Sequence, residues 1–167
     1  ARFCTLLKGA MSTLSVGDPR NLSTDVGPVI DEDAQKALEK HKESMNHQGR
    51  LLYECLGDSN NTSQGTFVSP AAYELDDLSS LTQENFGPIL HILRYKSNEL
   101  DQVIARVNDL GYGLTFGLHT RLDSRIKEII PLINAGNIYI NRNMIGAVVG
   151  PQPFGGKGLS GTGPKAG

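Results

Sequence analysis

The sequence predicts an α/β fold: a mostly parallel sheet with helices on both faces. Strand-like apolar runs alternate along the chain with segments whose apolar residues recur every three or four positions. Clusters of glycine, proline, asparagine and serine separate these segments. With 167 residues, 38% of them apolar and 20% charged, the chain is long and apolar enough for one domain with a core. Strands that alternate with helices imply right-handed crossovers, and ligands then bind beyond the carboxyl ends of the strands.

Two helices open the chain. Residues 2–14 carry apolar side chains at helical spacing, and the turn-rich stretch 16–28 is predicted to be a loop. Asp31 is the predicted N-cap of the second helix, EDAQKALEKHKESMNHQ, which has acids first and lysines later, as the helix dipole prefers. Gly49 is expected to end it.

Three strands follow. RLLYECLG is the first, and the polar stretch 58–65 separates it from the second, TFVSPAAYEL. Pro70 indicates a sheet edge or a strand end in this segment. ILHILRY, at 89–95, is the third strand.

The next helix carries an apolar stripe and has signals at both ends. Asn98 with Asp101 resembles a capping box at its start, and Gly111 is the expected C-cap. The apolar stripe consists of Leu100, Val103, Ile104, Val107 and Leu110.

One more strand–helix–strand unit is predicted after that helix. LTFGLHT is its first strand, a helix begins at about Asp123 and is stopped by Gly136, and NIYIN at 137–141 is its second strand. The inward positions of this helix are Ile126, Ile129, Ile130 and Ile133.

Composition excludes several classes of function. A net charge of −2 argues against broad binding of nucleic acid or of a membrane surface, which requires a basic patch. No apolar run reaches the length of a membrane span, and there is no signal-peptide pattern. Two cysteines are too few for a disulfide framework, so we expect a reducing, cytoplasmic location. The four histidines show no metal-ligand spacing.

The glycine-rich tail, GPQPFGGKGLSGTGPKAG at 150–167, contains a G-x-G-x-x-G match from Gly156 to Gly161. A dinucleotide-binding motif needs a helix after it, and Gly163 and Pro164 oppose one. A phosphate-binding P-loop is also excluded, because Lys157 is not followed by serine or threonine. We therefore interpret the tail as a loop whose backbone packs closely against a neighbour.

Five stretches in order resemble the aldehyde dehydrogenase superfamily: VGDP…TDVGPVI, QENFGPIL, NDLGYGLTFGLHT, GNIYINRN and QPFGGKGLSGTG. The segment from GNIYINRN to the end is most similar to the glutamate γ-semialdehyde (1-pyrroline-5-carboxylate) dehydrogenase module of bifunctional proline utilization A proteins. That module oxidises its substrate to glutamate with NAD⁺. The resemblance implies that residues 1–167 are the C-terminal part of a dehydrogenase catalytic domain, truncated on its N-terminal side. It also implies that residues 143–167 form a glycine-rich loop, which anchors the substrate, and a tail.

The resemblance assigns cofactor binding to Glu84 and Phe86. In the E-x-F-G-P motif of the superfamily, the glutamate hydrogen-bonds the nicotinamide ribose and the aromatic residue flanks the nicotinamide. A carboxylate can accept two hydrogen bonds from a vicinal diol, and a flat apolar ring can hold another ring. Without the resemblance, the pair would be interpreted as a solvated loop acid beside a core phenylalanine.

The resemblance assigns substrate binding to Gly146, Ala147 and Phe154. The first two match a loop that offers backbone N–H groups to the substrate carboxylate, a task that suits small residues. Phe154 matches an aromatic residue that packs on the aliphatic part of the aldehyde. Arg142 is the rival anchor for the carboxylate.

No catalytic residue of the family is matched in this chain. The reacting cysteine, the general-base glutamate and the dinucleotide-binding domain belong upstream in the family. Cys4 is expected on a helix and Cys55 in a strand, as buried structural thiols without a neighbour that lowers their pKa. The chain alone is therefore expected to be inactive.

Three functions stay open at this stage. The first is a part of an NAD⁺-dependent glutamate γ-semialdehyde dehydrogenase of proline catabolism, and the second is another aldehyde dehydrogenase branch. The third is a non-catalytic α/β ligand-binding module. For the first, the resemblance implies NAD⁺, an oligomeric parent protein, and FAD where the parent carries a proline dehydrogenase domain. It implies no metal and no contact of this chain with nucleic acid or membrane.

Overall fold

The computed structural model describes residues 2–56, 62, 64–145 and 152–165. The chain divides into two compact units, Ala1–Arg94 and Tyr95–Gly167. Each unit combines helices with strands, which confirms the predicted α/β class.

The first unit contains a three-stranded sheet and two helices. The strands β1 and β2 pair antiparallel and β2 and β3 pair parallel, in the order β1-β2-β3. The antiparallel pairing of β1 with β2 differs from the mostly parallel sheet that was predicted. A parallel pair needs a long crossover, whereas the sequence places only a polar stretch between these two strands. The bounds are α1 Arg2–Met11, α2 Glu32–Gln48, β1 Gly49–Glu54, β2 Ala71–Leu75 and β3 Ile89–Leu93.

The two helices cover opposite faces of this sheet. Successive side chains of a strand point to opposite faces, and β2 shows this directly. Ala72 belongs to a buried cluster with Cys4 and Met11 of α1. Its neighbour Tyr73 belongs to a second buried cluster with Met45 of α2. The expectation of helices on both faces is therefore confirmed for this unit.

The second unit contains two short sheets. Strands β5 and β6 pair parallel across the helix between them, as predicted, while β4 pairs antiparallel with β7 from the glycine-rich tail. Its buried core consists of Ile104, Ile129, Ile133 and Ala135. The three isoleucines lie on the two predicted apolar stripes, and Ala135 follows the second stripe. The bounds are α3 Leu100–Asp109, β4 Tyr112–Gly113, β5 Thr115–Leu118, α4 Asp123–Ile129, β6 Asn137–Ile140 and β7 Lys157–Gly158.

The helix ends agree with the sequence in part. The Asp31 side chain accepts a hydrogen bond from the backbone N–H of Ala34 at 2.8 Å, which is the predicted N-cap. Gly111 adopts φ +78°, the left-handed conformation expected just past the end of α3. The predicted stop of α4 at Gly136 is wrong, because the helix ends at Ile129 and a 3₁₀ turn that contains Pro131 follows. The capping box at Asn98 is also wrong. Instead, the Glu99 carboxylate accepts from the backbone N–H of Lys96 at 3.0 Å, and a short 3₁₀ turn leads into α3.

Among the described residues, no helix combines the length and the apolar character needed to cross a membrane.

We predict that Asp31→Ala lowers the free energy of unfolding by about 1 kcal/mol, because it removes the N-cap of the 17-residue helix α2. Urea denaturation of the purified chain measures the change. Asp33→Ala is the matched control: Asp33 is a fully exposed acid in the same first turn, 3.8 Å from Lys36, and should change stability by less than about 0.5 kcal/mol. Equal effects of the two variants would show that charge near the helix start, not the cap, is responsible.

Candidate functional site

The predicted cofactor residues lie in an exposed segment that leads into β3. Glu84 is exposed, Phe86 is 80% exposed, and Asn85 between them is half-buried. Gly87 and Pro88 then connect to Ile89, the first residue of β3, which pairs with the first residue of β2. The segment thus enters at the amino ends of two parallel strands, not at the carboxyl ends that the general rule favours. We refer to residues 83–87 as the 83–87 segment.

Helix α2 holds the 83–87 segment at Gly87. A Cβ added to Gly87 would lie 2.4 and 2.6 Å from the two methyl carbons of Leu38, which is only 2% exposed. These separations are far below van der Waals contact, and a fully buried leucine cannot move aside cheaply. The glycine of the E-x-F-G-P motif is therefore needed so that the backbone can approach α2.

A second contact joins α2 to the same segment one turn further along. The Asn85 side-chain nitrogen lies 3.4 Å from His41 Nδ1 and 3.2 Å from the Gln83 carbonyl oxygen. The Asn85 side-chain oxygen accepts from the Gln83 amide at 3.2 Å. On the other side of the ring, His41 Nε2 lies 2.9 Å from Nε2 of His91 in β3. The two imidazole rings meet edge to face at 77°, with centroids 5.1 Å apart.

The histidine pair favours the neutral form. Burial lowers the pKa of His41 below its ordinary value. Burial also lowers the pKa of His91, and the neighbouring His41 lowers it further. Two uncharged rings can share one hydrogen bond, in which one Nε2 donates and the other accepts.

A polar cavity of about 370 Å³ opens beside the 83–87 segment. It is lined by side chains of α2 and of residues 80–85, among them Lys40, Ser44 and Thr82. His41 and Asn85 also line it, so the contact between α2 and the segment forms one wall of the cavity.

The glycine-rich tail packs backbone against backbone, as the sequence predicted. A Cβ on Gly136 would lie 1.7 Å from the carbonyl oxygen of Gly155, so only glycine allows this approach. No helix follows the G-x-G-x-x-G match among residues 159–165; instead, Lys157 and Gly158 pair with β4. A dinucleotide-binding helix is therefore absent from the described part of the tail.

Phe154 is half-buried, and its backbone is held on both sides. The buried Asn137 of β6 donates from its side-chain nitrogen to the Pro153 carbonyl at 2.9 Å. Its side-chain oxygen accepts from the Gly155 N–H at 3.1 Å. Phe154 also exchanges two backbone hydrogen bonds with Lys165, at 3.0 and 3.2 Å.

The predicted carboxylate anchors Gly146 and Ala147 lie outside the described residues. Of the residues beside them, Arg142 places its guanidinium 5.0 Å from the centre of the Tyr139 ring, and the Gln152 amide donates to the Tyr139 hydroxyl at 2.9 Å. Tyr139 is a buried residue of β6. It therefore contacts Arg142 and Gln152, which lie before and after residues 143–151 in the sequence.

Both cysteines are buried, as expected. Cys4 lies on α1 as predicted, whereas Cys55 directly follows β1 instead of lying in the strand. They share one cluster on the α1 side of the sheet. The Cys55 thiol donates to the Met11 carbonyl at 3.2 Å, and burial, assisted by Glu54, raises its pKa. The Arg94 guanidinium lies 3.5 Å from the sulfur of Cys4. That contact spans 90 positions of the chain, so no local pattern reveals it. The described residues contain no cluster of three or more metal-ligating side chains.

Sequence reasoning missed Asn85, His41, His91 and Asn137. Asn85 could have been singled out, because it is the polar residue between the two predicted cofactor contacts. The histidines are 50 positions apart, and Asn137 is 16 positions from Pro153, so their roles become visible only in the folded chain.

Comparison with known proteins gives consistent results. The model of the aldehyde dehydrogenase family matches residues 1–167. The bifunctional protein PutA of Klebsiella aerogenes is 50% identical over 167 residues, which are 98% of this chain and 13% of PutA. A 1-pyrroline-5-carboxylate dehydrogenase of Halalkalibacterium halodurans is 40% identical over 92% of this chain and 29% of its own length. A crystal structure of a proline utilization A mutant from Bradyrhizobium japonicum has a TM-score of 0.92 at 48% identity, covering 99% of this chain and 16% of that one. The chain thus spans under a third of each of these relatives.

We predict that Gly87→Ala destabilises the chain by about 1–3 kcal/mol, because the added methyl group overlaps the buried Leu38 side chain. The free energy of unfolding in urea measures it. Gly9→Ala is the matched control, since nothing lies within 4 Å of a Cβ at this position in helix α1. The control should stabilise by about 0.5–1 kcal/mol, from helix propensity alone. Stabilisation by Gly87→Ala would contradict the close approach to α2.

Proposed function

The chain belongs to the aldehyde dehydrogenase family, and we propose that it forms part of an NAD⁺-dependent enzyme that oxidises glutamate γ-semialdehyde to glutamate. The observation that carries this proposal is the identity of 40–50% to PutA and to a 1-pyrroline-5-carboxylate dehydrogenase along nearly the whole chain. Glutamate γ-semialdehyde is the open form of pyrroline-5-carboxylate. The enzyme would thus act in proline catabolism, and in a bifunctional parent a separate FAD domain would perform the preceding oxidation.

The 83–87 segment is the proposed cofactor contact. Glu84 presents its carboxylate at the surface and Phe86 presents an exposed ring, and α2 fixes the backbone at Gly87. These groups fit a nicotinamide riboside: a carboxylate with two acceptor oxygens matches two ribose hydroxyls, and an uncharged aromatic face matches the nicotinamide ring. NAD⁺ supplies the hydride acceptor when bound. The part of this chain is to hold the riboside in one orientation.

The second unit is the proposed contact for the aldehyde. Asn137 holds the backbone around Phe154, whose ring would pack on the aliphatic part of the substrate. Gly146 and Ala147 would bind the substrate carboxylate with their N–H groups, as the family resemblance implies. Arg142, the rival anchor, already places its guanidinium over the Tyr139 ring, which favours the backbone N–H groups as the carboxylate contact.

The reacting cysteine is proposed to lie in the longer enzyme, outside this chain. Cys4 and Cys55 are both buried, whereas a nucleophilic thiol needs access to substrate. Purified as a separate 167-residue protein, the chain should therefore form no NADH from glutamate γ-semialdehyde.

We predict that Glu84→Ala in the full-length enzyme raises the KM for NAD⁺ by a factor corresponding to about 1–3 kcal/mol, because hydrogen bonds to a charged group are lost. Initial rates at varied NAD⁺ concentration measure this. Glu43→Ala, which removes an exposed carboxylate from α2, is the control and should leave KM unchanged. A full-length Glu84→Ala enzyme with an unaltered dependence on NAD⁺ would refute the assignment.

We predict that Ala147→Pro raises the KM for glutamate γ-semialdehyde and spares a neutral aldehyde of similar length. Proline removes one N–H, and only the acidic aldehyde has a carboxylate to lose. Arg142→Ala should have the smaller effect. The opposite result, with the preference for the acidic aldehyde abolished only by Arg142→Ala, would transfer the anchor to the guanidinium. An enzyme without any preference for the acidic aldehyde would favour another branch of the family.

A further inference from the structure

We propose that His41 and His91 are positioning residues that orient the 83–87 segment for cofactor binding through a directional chain of hydrogen bonds, which runs from Asn85 through His41 to His91 in β3. This inference rests on the proposed role of Glu84 and Phe86. It adds that the orientation of these residues is set by two histidines that do not themselves contact the cofactor.

The direction of the chain follows from Asn85. Its side-chain oxygen accepts from the Gln83 amide, and its side-chain nitrogen donates to the Gln83 carbonyl, both at 3.2 Å. The amide orientation is therefore fixed within the segment. The nitrogen, a donor only, is the atom that faces His41 Nδ1 at 3.4 Å. His41 Nδ1 must then be the acceptor.

This assignment fixes the tautomers of both rings. A neutral His41 that accepts at Nδ1 carries its proton on Nε2 and donates from there to His91 Nε2 at 2.9 Å. His91 accepts at Nε2 and carries its own proton on Nδ1. Burial favours the neutral state of both rings, which this arrangement requires. Because His91 Nε2 of β3 accepts a hydrogen bond from the proton-bearing Nε2 of His41, the Nδ1 atom of His41 stays unprotonated and can accept from Asn85.

The effect reaches Glu84 and Phe86 because Asn85 lies between them. Asn85 is half-buried toward α2, while the residues on either side of it are exposed. A held Asn85 therefore limits rotation of the backbone that carries both. Gly87 against Leu38 is the second attachment, one helical turn from His41, and two attachments restrict a short segment more than one.

Two substitutions at His91 separate this role from simple packing. Glutamine places a polar atom where His91 Nε2 lies and can accept from His41, whereas asparagine is too short to reach that position. In the full-length enzyme, we expect His91→Asn to raise the KM for NAD⁺ about three- to tenfold, in line with the loss of one hydrogen bond. His91→Gln should stay within about twofold of the unsubstituted enzyme. The KM for the aldehyde and kcat at saturating NAD⁺ should be unchanged in both. His47→Asn, at an exposed histidine of α2, is the control and should have no effect.

Each result for the KM for NAD⁺ either supports or overturns the positioning role. An unchanged KM for NAD⁺ in His91→Asn, or an equal rise in His91→Gln, would overturn the proposal, whatever happens to the melting temperature. If His91→Asn yields no folded protein, His41→Leu, which removes both ring nitrogens from a helical position, should show the same selective rise. If Glu84→Ala alters the KM for NAD⁺ while the His91 variants do not, the positioning role fails and the proposed function stands. If Glu84→Ala has no effect, the proposed function fails first.

Discussion

The close packing of α2 against the segment before β3 is the constraint on which the candidate cofactor site depends. Leu38 occupies the space where any side chain at Gly87 would lie, so the backbone must pass α2 at contact distance. Glu84 and Phe86 are then exposed because the attached residues of the segment face the helix. The same helix owes its own start to the Asp31 cap and one face of its packing to Met45 against the sheet. A helix whose start is marked by a local signal thus contacts a segment that lies far from it in the sequence.

In the second unit, glycines and a buried asparagine, not a helix, hold the backbone around Phe154. Its tail has little side-chain volume, so glycines approach neighbouring carbonyl groups directly, and the buried Asn137 satisfies the Pro153 carbonyl and the Gly155 N–H that flank Phe154. Buried backbone polar groups need such partners, because an unpaired one costs about as much as a lost hydrogen bond. A glycine-rich sequence therefore yields an ordered backbone around one aromatic side chain.

Local signals allowed much of the fold to be predicted. The Asp31 cap, the Gly111 C-cap and the two apolar stripes of the second unit depend on neighbours within a few residues. The structure confirms the cap and the C-cap, and it buries Ile104, Ile129 and Ile133 of the stripes. The cap of α3 was mispredicted, because Glu99 reaches back to the Lys96 N–H ahead of Asn98. Strand pairing direction and the contacts of His41 with His91 and of Arg94 with Cys4 join distant positions, so no local pattern encodes them. The site residues came from the family motif, whereas the reason for its glycine came from the geometry around Leu38.

The central claim is that α2 fixes Glu84 and Phe86 in the orientation that binds the nicotinamide riboside. A crystal structure of the full-length enzyme with NAD⁺ tests it most directly. The account predicts a Glu84 carboxylate oxygen within about 2.7–3.2 Å of the ribose hydroxyls, the Phe86 ring against the nicotinamide, and Asn85 still on His41. A bound NAD⁺ whose ribose lies away from Glu84, with the 83–87 segment displaced from α2, would contradict it.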